Sequence, residues 1–270
     1  MHHDDPASLA AAGAGWFEIA VGAGLIVAAV AYAECLWFSR HRARPPVRRI
    51  LFWYAGLTCC AVATIGPVAA SGRDGFTGHM VVHLLLGMIA PLLLVRAAPM
   101  TLLLRALPVV AARQVARLLR TRALRAITHP LTATLLNLGG LWILYFTGVF
   151  QAMHGFAPVH AAVHLHLLAV GYLFTASLVG VDPDPHRASV VIRSGALIAF
   201  MAGHSALAKQ LYVTPPAGVG IVDGRSGAQL MYYAGDAVDV ALIVLLLAGW
   251  YSAAGRRAAG PGAPQALRAR

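Results

Sequence analysis

Helical spacing brings two imidazoles together twice in this chain: His79 and His83 in "HMVVH", and His160 and His164 in "HAAVH". Residues four apart share one face of a helix about a turn apart, so both rings of such a pair can address one ion. His-x-x-x-His is for that reason a metal clamp. His154, His204, Asp236 and Asp239 add further nitrogen and oxygen donors. Imidazole suits zinc, copper, iron and nickel, and the thioethers of Met80, Met153, Met201 and Met231 would shift that choice towards Cu(I). Met201 lies one turn before His204 on the same face. Each methionine taken alone is equally a filler of an apolar interior. A hydrogen-bonded polar core lining a water-filled vestibule is the alternative to a metal site.

The elements that must position these side chains are apolar. The chain has 270 residues, 59% hydrophobic and only 11% charged, with a mean hydropathy of +0.70. That is more apolar surface than a soluble domain can hide, so an integral membrane protein is expected. Crossing ~30 Å of hydrocarbon takes about 20 apolar residues. Seven stretches qualify, near 16–38, 50–70, 79–99, 131–150, 159–181, 190–212 and 230–252. Backbone polar groups in lipid must be paired internally, so these are helices, and the fold class is an all-α bundle of seven transmembrane helices.

Orientation follows from the arginines. The stretches "SRHRARPPVRR", "RALPVVAARQVARLLRTRALR", "DPDPHRASVVIR" and "RRAAGPGAPQALRAR", with Arg96, hold eighteen of the 21 basic residues. The alternate loops hold Arg73 and Arg225, and Lys209 lies near an outer helix end. The positive-inside rule then puts the N-terminus outside and the C-terminus in the cytoplasm. Basic loops against anionic lipid account for the net charge of +11, so no nucleic-acid partner is implied. The bundle reads as one domain over 1–255, followed by a basic tail at 256–270. Arginines spaced among Leu and Val over about 102–126 read as an amphipathic segment on the inner leaflet.

With this topology His79, His83, His160, His164, His204, His154 and Asp236 all fall in the outer leaflet or just above it, which strengthens the metal reading. His166, two residues past His164, turns to another face, and His41, His129 and His186 are cytoplasmic. His129 is expected to cap the helix that Pro130 begins. Cys35, Cys59 and Cys60 imply no disulfide framework. "MHHDDPASLA" lacks a basic n-region and a cleavage site, so the first apolar run is expected to stay. His3 behind a free amino terminus and two amides is a candidate square-planar Cu(II) site.

"HMVVH" with "LLLGMIAPLLL" and Pro99, "HP" at 129–130 with Trp142, "HAAVH" with Gly171, Leu173 and Phe174, "DPDPHR", and "DGRSGAQLMYYAGD" together resemble the CtaG family of cytochrome c oxidase assembly factors. The resemblance runs from the second apolar stretch to the seventh. Gly227–Ala228, Tyr232 and the stretch after His204 depart from the family pattern. The resemblance implies a seven-helix bacterial plasma-membrane protein that supplies copper to a haem-copper oxidase, with no turnover of its own. It marks His79, Met80, His83, His160, His164, His204 and Asp236. Its implied partners are the oxidase subunits and a periplasmic copper donor.

Two other classes use the same residues. An intramembrane zinc hydrolase would use three histidines, with Asp236 as base and Ser205 beside His204. A b-type cytochrome would pair histidines across haem iron.

Overall fold

A computed structural model describes the backbone of residues 6–41 and 45–258, and the side chains of 15–41 and 45–255. His2, His3 and the whole tail at 256–270 lie outside the described side chains. Among the described residues every regular element is helical: α1 (Pro6–Ser39), α2 (Val47–Thr64), α3 (Pro67–Asp74), α4 (Phe76–Leu84), a π-turn (Leu85–Ile89), α5 (Ala90–Arg96), α6 (Pro99–Ala106), α7 (Val109–Leu119), α8 (Arg122–Ile127), α9 (Pro130–Phe146), α10 (Val149–Gly155), α11 (Ala157–Val179), α12 (Val190–Val213) and α13 (Ile221–Ala258).

Five of these spans are long and apolar enough to cross a membrane, and seven if each of two bent pairs counts as one. The protein is thus a multi-pass membrane protein. The stretches expected near 50–70 and 131–150 are the bent ones. α2 and α3 meet at 46°, and α9 and α10 at 74°. The first bend sits where Gly66, at φ +81°, precedes Pro67. A positive φ suits glycine, and proline cannot extend the helix behind it. The amphipathic segment is three short helices, α6 to α8, because Pro108 interrupts it and Thr121 caps α8 through its hydroxyl.

The span formed by α4, the π-turn and α5 is the hub. Its most apolar stretch is 67% buried, against 6% for the first span. Pro91 explains the π-turn: it has no N–H for the Gly87 carbonyl four residues back, and its ring presses on that oxygen. The ladder widens, with the Ala90 N–H reaching back to the Leu85 carbonyl. The released Gly87 carbonyl lies directly against Gly171 of α11, where any side chain would collide with it. Small residues replace the missing hydrophobic drive between helices in lipid by letting backbones approach.

A carboxylate from elsewhere caps the hub at its start. Asp223, in the first turn of α13, accepts hydrogen bonds from the Phe76 N–H at 2.6 Å, the Thr77 N–H at 3.0 Å and the Thr77 hydroxyl at 2.6 Å. Those N–H groups have no helical partner, and the positive helix end favours an anion. At the opposite end Asp182 does the same for α6, through Thr101 and the Met100 N–H. Asp223 therefore fixes the starts of α4 and α13 side by side. The ends of α9 and α12 and the start of α11 gather at this same end of the bundle; which way it faces rests on the arginine distribution.

Candidate metal-binding site

α4 carries His79 and His83 into the core, at 4% and 2% exposure. They enter different surroundings. His79 Nε2 is 3.1 Å from the Tyr145 hydroxyl, which also lies 3.8 Å from the Met80 sulfur. The rings of Phe76, Tyr145, Phe150 and His154 surround His79, with centroids 5.2 to 6.3 Å away. His154, on α10, uses Nδ1 against the Phe150 carbonyl at 2.7 Å, and its side chain is exposed. On α11 the rings of His160 and His164 sit 4.1 Å apart at 75°. Phe17 of α1 lies over both, at 5.4 and 6.1 Å. The Arg73–Glu18 pair, at 3.3 Å, ties α3 to α1 beside them.

The second group is deeper. His83 lies face to face with His204 of α12, with centroids 5.9 Å apart and planes 15° from parallel. His204 stacks in turn on Phe200 at 5.4 Å. Its ring rests on the backbone of Gly235, where a side chain would collide. Asp239, one turn further along α13, is fully buried.

Both nitrogens of His83, Nε2 of His204, Nδ1 of His164 and both oxygens of Asp239 have no hydrogen-bond partner. Leaving one such group dry and unpaired costs about 1–3 kcal/mol, and more for a carboxylate. Among the described residues six candidate ligand atoms are in that condition, on α4, α11, α12 and α13. Their chemistry fits a borderline or soft cation, with imidazole nitrogen, one carboxylate, and the Met80 thioether at the upper level. Among the described residues no three His, Cys, Asp or Glu side chains already converge closely enough to hold an ion. The arrangement is two tiers: His79, Met80, His154, His160 and His164 above, and the stacked His83 and His204 below, with Asp239 buried on α13 one turn past the Gly235 that backs His204.

The remaining sequence candidates fall outside those contacts. Asp236 is half-buried on α13. Met201 packs among Leu84, Met88, Phe174 and Phe200. His166 is exposed and lies against Gly140 of α9, away from His164, as its spacing requires. His129 caps α9 through Nδ1, which accepts from the Leu131 N–H. Asp239 lies in the buried stripe of α13, which runs Gly224, Gly227, Met231, Gly235, Asp239, Leu242 and Leu246 at helical spacing, and Asp236 lies beside it. That period is visible in the sequence. Tyr145 and Phe17 carry no comparable signal.

The model of the cytochrome c oxidase caa3 assembly factor family matches residues 30–253, so the chain belongs to that family. It is also similar to proteins described only as uncharacterized: 34% identical over 197 residues to one of Mycobacterium bovis and equally to one of Mycobacterium tuberculosis, covering 70% of this chain and 30% of theirs. A Mycobacterium leprae protein is 29% identical over 256 residues, 87% of this chain and 39% of its own. The chain thus spans about a third of the length of the curated relatives it matches. No solved structure matches it.

Proposed function

We propose that this member of the caa3 assembly-factor family is a plasma-membrane Cu(I) carrier that helps deliver copper to cytochrome c oxidase, as a chaperone and not as a catalyst. One observation carries the reading: the stacked pair His83 and His204, nearly inaccessible to solvent, leaves three ring nitrogens unpartnered, and Asp239 on α13 is likewise buried and unpartnered. Polar groups inside a membrane bundle are expensive and cluster where ions travel. The upper tier would receive the ion. It mixes imidazoles with a thioether, is partly open at His154 and His160, and suits a soft monovalent cation. The lower tier would hold it. The Asp239 carboxylate, one turn further along α13 than the glycine that backs His204, would cancel a single positive charge drawn towards it, so Cu(I) would leave no net charge in the bundle, whereas Cu(II) or Zn(II) would leave one. Release follows from incomplete convergence, because a site that must adjust to close binds less tightly than a rigid cage.

The oxidase subunits are the recipients in this reading, and a periplasmic copper donor the source. Haem is the less suitable guest: His83 and His204 present ring faces to one another at 15°, where axial ligands must point nitrogens at a shared iron. The test is complementation. A host lacking the protein and re-supplied with His83→Ala/His204→Ala should assemble an oxidase that holds haem and lacks its copper; full copper content would refute the delivery role.

A further inference from the structure

Lys209 has no part in the metal tiers, yet it is a cation within a membrane span. It faces a cavity of about 320 Å³ between α12 and α13, floored by the buried Ala208 and Ala228 and walled by Tyr212, Gln229, Tyr232 and Tyr233. Its ammonium sits 5.5 Å above the Tyr232 ring, and the Arg225 guanidinium sits 5.3 Å from the Tyr212 ring on the same rim. Neither cation has a carboxylate partner among the described residues. Cation-π contacts orient both without neutralising either. The rim thus presents two positive charges, an amide and tyrosine hydroxyls, a set that matches a phosphate monoanion.

The outer faces of the two helices say where the phosphate comes from. On α12 the exposed line that leaves Lys209 runs Ala206, Ala202 and Ile198. On α13 it runs Tyr233, Ala237, Val240, Val244 and Leu247. Both repeat at three or four residues, so each is one straight apolar stripe along its helix. They start at the cavity and run away from it into the span. This is the shape of an amphiphile with its head at the rim and its chains along the seam.

We propose that this cavity is a binding site for the phosphate headgroup of an anionic phospholipid, with Lys209 and Arg225 as its cationic contacts and the α12–α13 seam as the track for its acyl chains. Each cation near a membrane surface contributes about fivefold to anionic-lipid affinity, so losing both costs about thirtyfold. The site borders the helices that supply His204 and Asp239, and it stands whether or not copper is the cargo.

Native mass spectrometry of the full chain in micelles doped with phosphatidylglycerol tests this. One phosphatidylglycerol should be retained per chain and phosphatidylcholine should not. Lys209→Met and Arg225→Gln should each weaken retention about fivefold and together about thirtyfold. Arg117→Gln, on α7 at the other end of the bundle, should leave it unchanged and shows that loss of any one cation is not enough. Two variants at separate positions keep the test decisive if either fails to fold. Equal retention of phosphatidylcholine, unchanged retention by the double variant, or displacement of the lipid by millimolar inorganic phosphate would each overturn the assignment.

Discussion

Substituting Gly235 with alanine probes the lower tier without removing a donor atom. A methyl group there would lie 2.7 Å from His204 Cε1, closer than real carbon contacts allow, and a tight 3.2 Å from Nδ1. The ring has nowhere to retreat, since Phe200 stacks on it at 5.4 Å and His83 at 5.9 Å. Either His204 swings out of the stack or α13 withdraws from α12, and overpacking of this kind costs about 1–3 kcal/mol. At about 2–4 °C per kcal/mol for a chain of this size, the midpoint of thermal unfolding should drop by several degrees. Cu(I) affinity, measured anaerobically against a chromogenic competitor, should fall with it, although every ligand is still present. Gly195→Ala is the control: nothing lies within 4 Å of a methyl there, on the exposed face of α12. If Gly235→Ala matched Gly195→Ala in both stability and Cu(I) affinity, His204 would not be fixed by its packing on α13, and the lower tier as described would be wrong.

Three more expectations follow from the same geometry. Asp223→Ala should free the Phe76 and Thr77 N–H groups and lower stability by about 1–2 kcal/mol, after discounting for its partial exposure, with hydrogen exchange fastest at the start of α4. His166→Ala should leave bound copper unchanged while His164→Ala reduces it, because His166 lies against Gly140 on the far side of α11; equal losses would remove the distinction. Reporter fusions should place the loops at 71–78 and 151–158 outside and the segment 101–128 inside, and a cytoplasmic signal at 151–158 would invert the assignment of the histidine tiers to the outer half.

The spans were legible because hydropathy reports them one at a time. Their breaks were not, since a window average cannot register one torsion angle. The bend at Gly66 rests on a single positive φ, although Gly-Pro was there to mark it. The widened turn after His83 comes from Pro91 and the approach of Gly171, a residue eighty positions away. The histidine spacing correctly placed each pair on one face, and it separated His166 from His164. Whether a pair shares one neighbourhood is decided by other helices. Tyr145 and Phe150 claim His79, while His204 claims His83 one turn below. Asp236 and Asp239 look alike in the sequence, and only following the period of the buried stripe along the whole of α13 separates the buried carboxylate from its half-buried neighbour.

The most direct test of the two-tier copper reading is X-ray absorption at the copper edge on protein loaded anaerobically with one Cu(I) per chain. The account predicts a first shell dominated by imidazole nitrogen, lost in His83→Ala/His204→Ala and altered in His160→Ala/His164→Ala. A spectrum identical in all three proteins, or one showing only buffer ligands, would contradict it.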